Sequence, residues 1–107
     1  MLDIDRILYL GKGKTIEFVR DLKTLKSIIR TVVAFTNTSG GIILIGVDNK
    51  GNLAGINDDF DLQEKDNFAS IISDSIFPLI NFEVFHINHK DKRLLMLKVF
   101  PGNKKPY

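Results

Sequence analysis

One stretch of the chain constrains the fold more than any other: an amphipathic helix pattern stops at two glycines and is followed at once by an apolar strand pattern. Apolar residues recur at helical spacing between Leu25 and Phe35, and Asp21 is placed to cap the first turn. Gly40 and Gly41 end that helix, and residues 42–47 form a β-branched, apolar run of strand length. We therefore predict a long helix followed by a central strand.

Further strands are predicted from short β-prone segments bounded by turn residues. The four residues 48–51 favour a tight turn, because Asn and Gly tolerate positive φ and Asp can bond its own backbone. We expect residues 52–56 to return as the hairpin partner of 42–47. The remaining predicted strands cover residues 15–19, 82–87 and 94–100.

A second helix is predicted over residues 62–75. Asp61 and Glu64 approximate a capping box, and apolar residues continue at helical spacing until Pro78. The predicted fold class is α+β: one compact domain over residues 1–107, with a mixed β-sheet and two helices in the order β-α-β-β-α-β-β. We expect this domain to be the N-terminal fragment of a longer protein.

The composition excludes several classes of function. The chain has no cysteine, which excludes disulfides, zinc-thiolate sites and thiol nucleophiles and favours a cytoplasmic location. The longest apolar run, residues 42–45, is far shorter than the ~20 residues of a membrane helix, so we expect no membrane contact. The net charge of +2 is too small to indicate a binding partner, so only the distribution of charge can do so.

Six basic residues lie close together in sequence between positions 12 and 30. Lys23, Lys26 and Arg30, here called the basic ridge, follow helical spacing on the face opposite the apolar stripe. Such a surface can bind phosphates by releasing their condensed counterions, or can serve only as a solvated helix face. Both interpretations are open. The candidate nucleic-acid-binding residues are Lys12, Lys14, Arg20, Lys23, Lys26 and Arg30.

Glu17 and Asp48 are weak candidates for metal binding or catalysis. They lie in the first predicted strand and at the end of the central one, so both could reach the same end of a sheet and hold a divalent cation. Local chemistry favours plainer roles, with Asp48 starting the turn and Glu17 exposed or salt-bridged. We expect no cofactor, and Mg²⁺ or Mn²⁺ only for a nuclease.

Residues 34–51 resemble the central signature of the Schlafen-type AlbA-like DNA-binding domains. They have the pattern Ala-x-x-Asn-x-x-Gly-Gly, then a strand, then Gly-Val-Asp-x-x-Gly. Glu17 and Phe18 resemble the first two residues of the family's Glu-Phe-Lys strand, with Val19 in place of the lysine. The resemblance implies a compact α/β domain found in prokaryotic transcriptional regulators, with further domains behind it.

The resemblance also indicates which residues a catalytic member of the family would use. Some Schlafen members are RNA endonucleases whose metal-binding acids match Glu17 and Asp48, but the third acidic position holds Lys12. A cation there should weaken metal binding and favour phosphate contact.

Three functions follow as hypotheses. The first is a non-catalytic binding domain of a transcriptional regulator, with DNA expected rather than RNA. The second is a metal-dependent RNA endonuclease that uses Glu17 and Asp48. The third is a regulatory or oligomerisation domain that forms a homodimer through a sheet edge or the second helix.

Overall fold

The chain folds into an α+β domain, which confirms the predicted fold class, and its described residues form a four-stranded mixed sheet and the two helices named below. A computed structural model describes residues 4–13, 15–20, 25–56, 70 and 81–102. Its elements, in chain order, are α1 (Ile4–Leu10), β1 (Ile16–Val19), α2 (Leu25–Thr36), β2 (Gly41–Ile45), β3 (Phe82–His89) and β4 (Lys92–Val99).

The sheet has the strand order β1-β2-β4-β3. β1 pairs parallel to β2, with Ile16 opposite Ile42 and Val19 opposite Ile45. β2 pairs antiparallel to β4, and β4 pairs antiparallel to β3. The apolar strand β2 is therefore central, as its composition predicts.

A helix packs on each face of the sheet. Since alternate residues of a strand point to opposite sides, β2 and β4 contribute apolar side chains to both faces. On one face α2 packs through Ile28 and Val32 against Ile43 and Ile45. On the other face α1 packs in a second cluster that includes Leu44. The sheet is thus the middle layer between two helices.

The backbone at the end of α2 requires glycine at position 40. The backbone N–H of Gly40 donates to the carbonyl oxygen of Phe35 at 2.9 Å, closing the helix. Gly40 has a φ of +83°, and a Cβ at this position would lie 2.5 Å from the carbonyl oxygen of Val99. A larger residue would be strained both by its dihedral angle and by this backbone contact.

Three segments differ from or extend the predictions. Residues 4–10, which the sequence pattern does not indicate as an element, form α1. The expected return of residues 52–56 is a single antiparallel bridge between Val47 and Leu53, and the N–H groups of Ala54 and Gly55 both donate to Gly46. The helix predicted over 62–75 lies outside the described residues, apart from position 70.

No helix in the part of the chain that the structure describes is long and apolar enough to cross a membrane.

Candidate nucleic-acid interface

A polar cleft lies where the parallel strands β1 and β2 end. Parallel strands end at the same edge of a sheet, so β1, the turn after β2, and α2 converge there. The cleft has a volume of about 430 Å³. It is lined by Lys12, Glu17, Phe18, Val19, Arg20, Ser27, Thr31 and Asn49.

Lys12 connects two sides of this cleft. Its Nζ lies 2.9 Å from Oε1 of Glu17 and donates to Oδ1 of Asn49 at 3.0 Å. The same Glu17 oxygen accepts the backbone N–H of Phe18 at 3.0 Å. The side chains of Lys12 and Glu17 are 37% and 32% exposed, so solvent screens the pair and its contribution to stability is small.

Asp48 stabilises the turn that follows β2. Its Oδ1 accepts the backbone N–H groups of Lys50 at 2.8 Å and Asn52 at 2.9 Å, and its Oδ2 accepts the Asn52 side-chain amide at 3.3 Å. The hydrogen bond from the Asn52 backbone, above all, holds the pKa of the Asp48 carboxyl below its ordinary value, and the positive charge of Arg20 acts in the same direction. Both carboxylate oxygens therefore already have hydrogen-bond donors.

The two acidic candidates thus have local partners. Glu17 lines the cleft, whereas Asp48 is not among its lining residues. Within the described ranges, no group of three or more His, Asp and Glu residues could hold a metal ion.

Of the described cations in the sequence hypothesis, Lys12 and Arg20 line this cleft, and Lys26 and Arg30 are next to its lining residues in the sequence of α2. Arg20 is exposed and forms part of the lining. Lys26 and Arg30 are exposed on α2 and four residues apart, so they share one face of the helix. They directly precede Ser27 and Thr31, which line the cleft. Lys14 and Lys23 lie outside the described residues.

Three polar lining residues were not among the sequence candidates. Ser27 and Thr31 are four residues apart on α2, a spacing that could have associated them with the basic ridge. Asn49 belongs to the turn, and its contact with Lys12 spans 37 residues of chain. A local sequence pattern cannot predict a contact between residues so far apart in the chain.

The structure is therefore that of a small α+β domain with a polar cleft whose lining includes the cations Lys12 and Arg20. The sequence matches the family described as Schlafen, AlbA_2 over residues 12–107. The chain belongs to this family, which confirms the resemblance seen in residues 34–51. At the level of the family, this membership supports a nucleic-acid-binding domain.

Several solved structures share the fold, including the two that follow. The N-terminal domain of a RecG-related protein from Nitrosomonas europaea, named for an ATP-dependent DNA helicase, superposes with a TM-score of 0.62 at 22% identity, covering 97% of this chain and 81% of that one. The DIP2311 protein from Corynebacterium diphtheriae gives a TM-score of 0.67 at 16% identity, covering 96% of this chain and 22% of that one. At these identities the likeness establishes the fold alone. No curated protein matches the sequence.

Proposed function

We propose that this chain is a non-catalytic nucleic-acid-binding domain that holds phosphates at the cleft and on the adjoining face of α2. Duplex DNA is the proposed ligand, and a cytoplasmic prokaryotic transcriptional regulator is the proposed setting. The RecG-related neighbour is named for a DNA helicase, which is consistent with a DNA ligand.

The clustering of cations around one cleft carries this proposal. Arg20 directly follows β1 and lines the cleft. Lys26 and Arg30 are on α2, where each directly precedes a lining residue, and all three cations are exposed. Exposed cations keep their hydration until a phosphate replaces it, and each contact releases condensed counterions. Ser27 adds an exposed hydroxyl, a group that commonly donates to phosphate oxygens.

The environment of the acidic residues supports a role without catalysis. The Lys12 ammonium group lies against Glu17 at 2.9 Å, where it neutralises a carboxylate that a divalent cation would need. Asp48 is engaged by three hydrogen bonds within its own turn. Metal binding would have to displace the lysine at one carboxylate and the turn donors at the other.

The test is a fluorescence-anisotropy titration of the 107-residue chain with labelled duplex DNA and with structured RNA, each at two salt concentrations. We expect salt-sensitive binding that weakens in a Lys26→Ala/Arg30→Ala variant and tighter binding to DNA. Tighter binding to RNA would overturn the choice of ligand. Absence of binding to both at ~50 mM salt, where phosphate contacts are strongest, would overturn the proposal. Light scattering would then test for oligomerisation.

A parallel incubation of the RNA with Mg²⁺ or Mn²⁺ tests the absence of catalysis. We expect intact RNA with either metal. Cleavage that requires the metal and disappears in Asp48→Ala would instead establish the endonuclease alternative.

A further inference from the structure

A second concave surface lies at the opposite end of the parallel strand pair. It is a groove of about 510 Å³, bounded by α1, by the starts of β1 and β2, and by the chain that follows β4. Leu10 of α1 borders it with 59% of its surface exposed. None of the described residues proposed to bind nucleic acid is in the lining of this groove.

The groove is apolar at its centre and basic at its rim. Aliphatic side chains supply much of the lining, among them Ile7, Leu10, Ile16, Ile42 and Val99. Among the residues that the structure describes, the charged residues of the lining are Arg6 and Lys98, both cations. An apolar surface with cations beside it is complementary to a large apolar side chain flanked by carboxylates.

The backbone beneath the groove is closely packed. Gly40 and Gly41 form part of the lining, and a Cβ at Gly41 would lie 2.7 Å from the Phe35 ring. A surface supported in this way is formed before a ligand arrives, which lowers the entropic cost of binding.

A nucleobase fits this groove less well than a protein side chain does. Bases bind single-stranded sites by stacking on aromatic faces. Among the described lining residues the aromatic ring is that of Phe100, and Nζ of Lys98 lies 5.2 Å from its centroid, over one ring face. The remaining apolar lining is mainly aliphatic, which suits leucine-like anchors better than the polar edges of a base.

We propose that this groove binds an acidic protein segment anchored by a large aliphatic side chain. The inference goes beyond the nucleic-acid-binding function and does not depend on it.

The probe is a synthetic twelve-residue peptide with two central leucines flanked by aspartate and glutamate. Methyl NMR spectra of the 107-residue chain would follow Ile42 and Val99 during its titration. Two matched peptides carry lysine in place of the acids or serine in place of the leucines. We expect the acidic leucine peptide alone to shift these methyl resonances.

Variants separate the groove from general charge effects. Leu10→Glu should weaken peptide affinity at least about tenfold, because it places a carboxylate against the apolar anchor and the peptide acids. Tyr9→Glu is the matched control: Tyr9 is the adjacent residue of α1, 89% exposed and absent from the groove lining. It should leave the affinity within about twofold of the parent, since solvent screens an exposed charge.

Several results would overturn the proposal. The proposal is wrong if no peptide shifts the methyl resonances, or if the lysine peptide shifts them as much as the acidic leucine peptide does. It is also wrong if Leu10→Glu and Tyr9→Glu change the peptide affinity equally. Shifts with a single-stranded oligonucleotide in place of the peptide would assign the groove to nucleic acid. Shifts that depend on protein concentration alone would assign it to a second copy of the chain.

Discussion

Replacing Lys26 and Arg30 by alanine should flatten the salt dependence of duplex DNA binding by a calculable amount. Four described cations border the cleft or adjoin it on α2: Lys12, Arg20, Lys26 and Arg30. Each phosphate neutralised on duplex DNA contributes a slope of about −0.9 in log affinity against log salt concentration. Four contacts give a slope of about −3.6, so raising salt from about 50 to about 200 mM should weaken binding roughly 150-fold.

The double variant removes two of these contacts. Its slope should fall to about −1.8, which corresponds to roughly a 12-fold loss over the same salt range. The assay is fluorescence anisotropy with a labelled duplex at five or more salt concentrations. Affinity extrapolated to high salt should change little, because the lost interactions are electrostatic.

A matched control has the same change in net charge at the opposite edge of the sheet. Lys90→Ala/Lys92→Ala removes two exposed lysines from the β3–β4 hairpin. Its slope should equal that of the parent chain. Equal slopes for both double variants would show that net charge alone governs binding, and the assigned interface would be wrong.

The remaining predictions concern the acidic residues and the backbone at the site. Glu17→Gln should tighten duplex DNA binding by about two- to fivefold in the same assay, since it removes a negative charge and releases Lys12 from its ion pair; weaker binding would contradict this. The pKa of Asp48, followed by NMR of its carboxyl, should lie below 3.8, so its contribution to stability is present above about pH 4 and is lost as pH falls further. A value at or above 3.8 would show that the turn donors do not favour the carboxylate. Gly40→Ala should lower the free energy of unfolding by about 1–3 kcal/mol in urea denaturation, because of its positive φ and the contact with Val99. Gly13→Ala, whose Cβ meets no atom within 4 Å, is its control and should change stability by less than about 0.5 kcal/mol.

The sequence could predict the elements whose side-chain periodicity is long. Helix α2 spans twelve residues, enough for three turns of apolar spacing, and the apolar run in β2 indicates burial on both faces. Helix α1 has only seven residues, so Ile4 and Ile7 supply too few repeats to distinguish a helix from loose alternation. So short a helix depends on packing against Leu44 and its neighbours, which is tertiary information.

For the same reason, only part of the candidate site could be predicted from the sequence. The basic residues of α2 follow a local spacing, so their common face is predictable. The contact between Lys12 and Asn49 joins residues 37 positions apart, and it exists because parallel pairing of β1 and β2 brings the two loops to one edge. The position of Lys12 beside Glu17 also depends on the path of the chain before β1.

The most direct test of the central claim is to map the surface that duplex DNA contacts. Amide NMR spectra of the 107-residue chain, recorded during titration with an unlabelled duplex at low salt, report each residue separately. We predict the largest shifts at Arg20, Lys26, Arg30 and Asn49, with little change along the exposed edge strand β3. Shifts concentrated on β3 and the β3–β4 hairpin, or no shifts at all, would contradict the account.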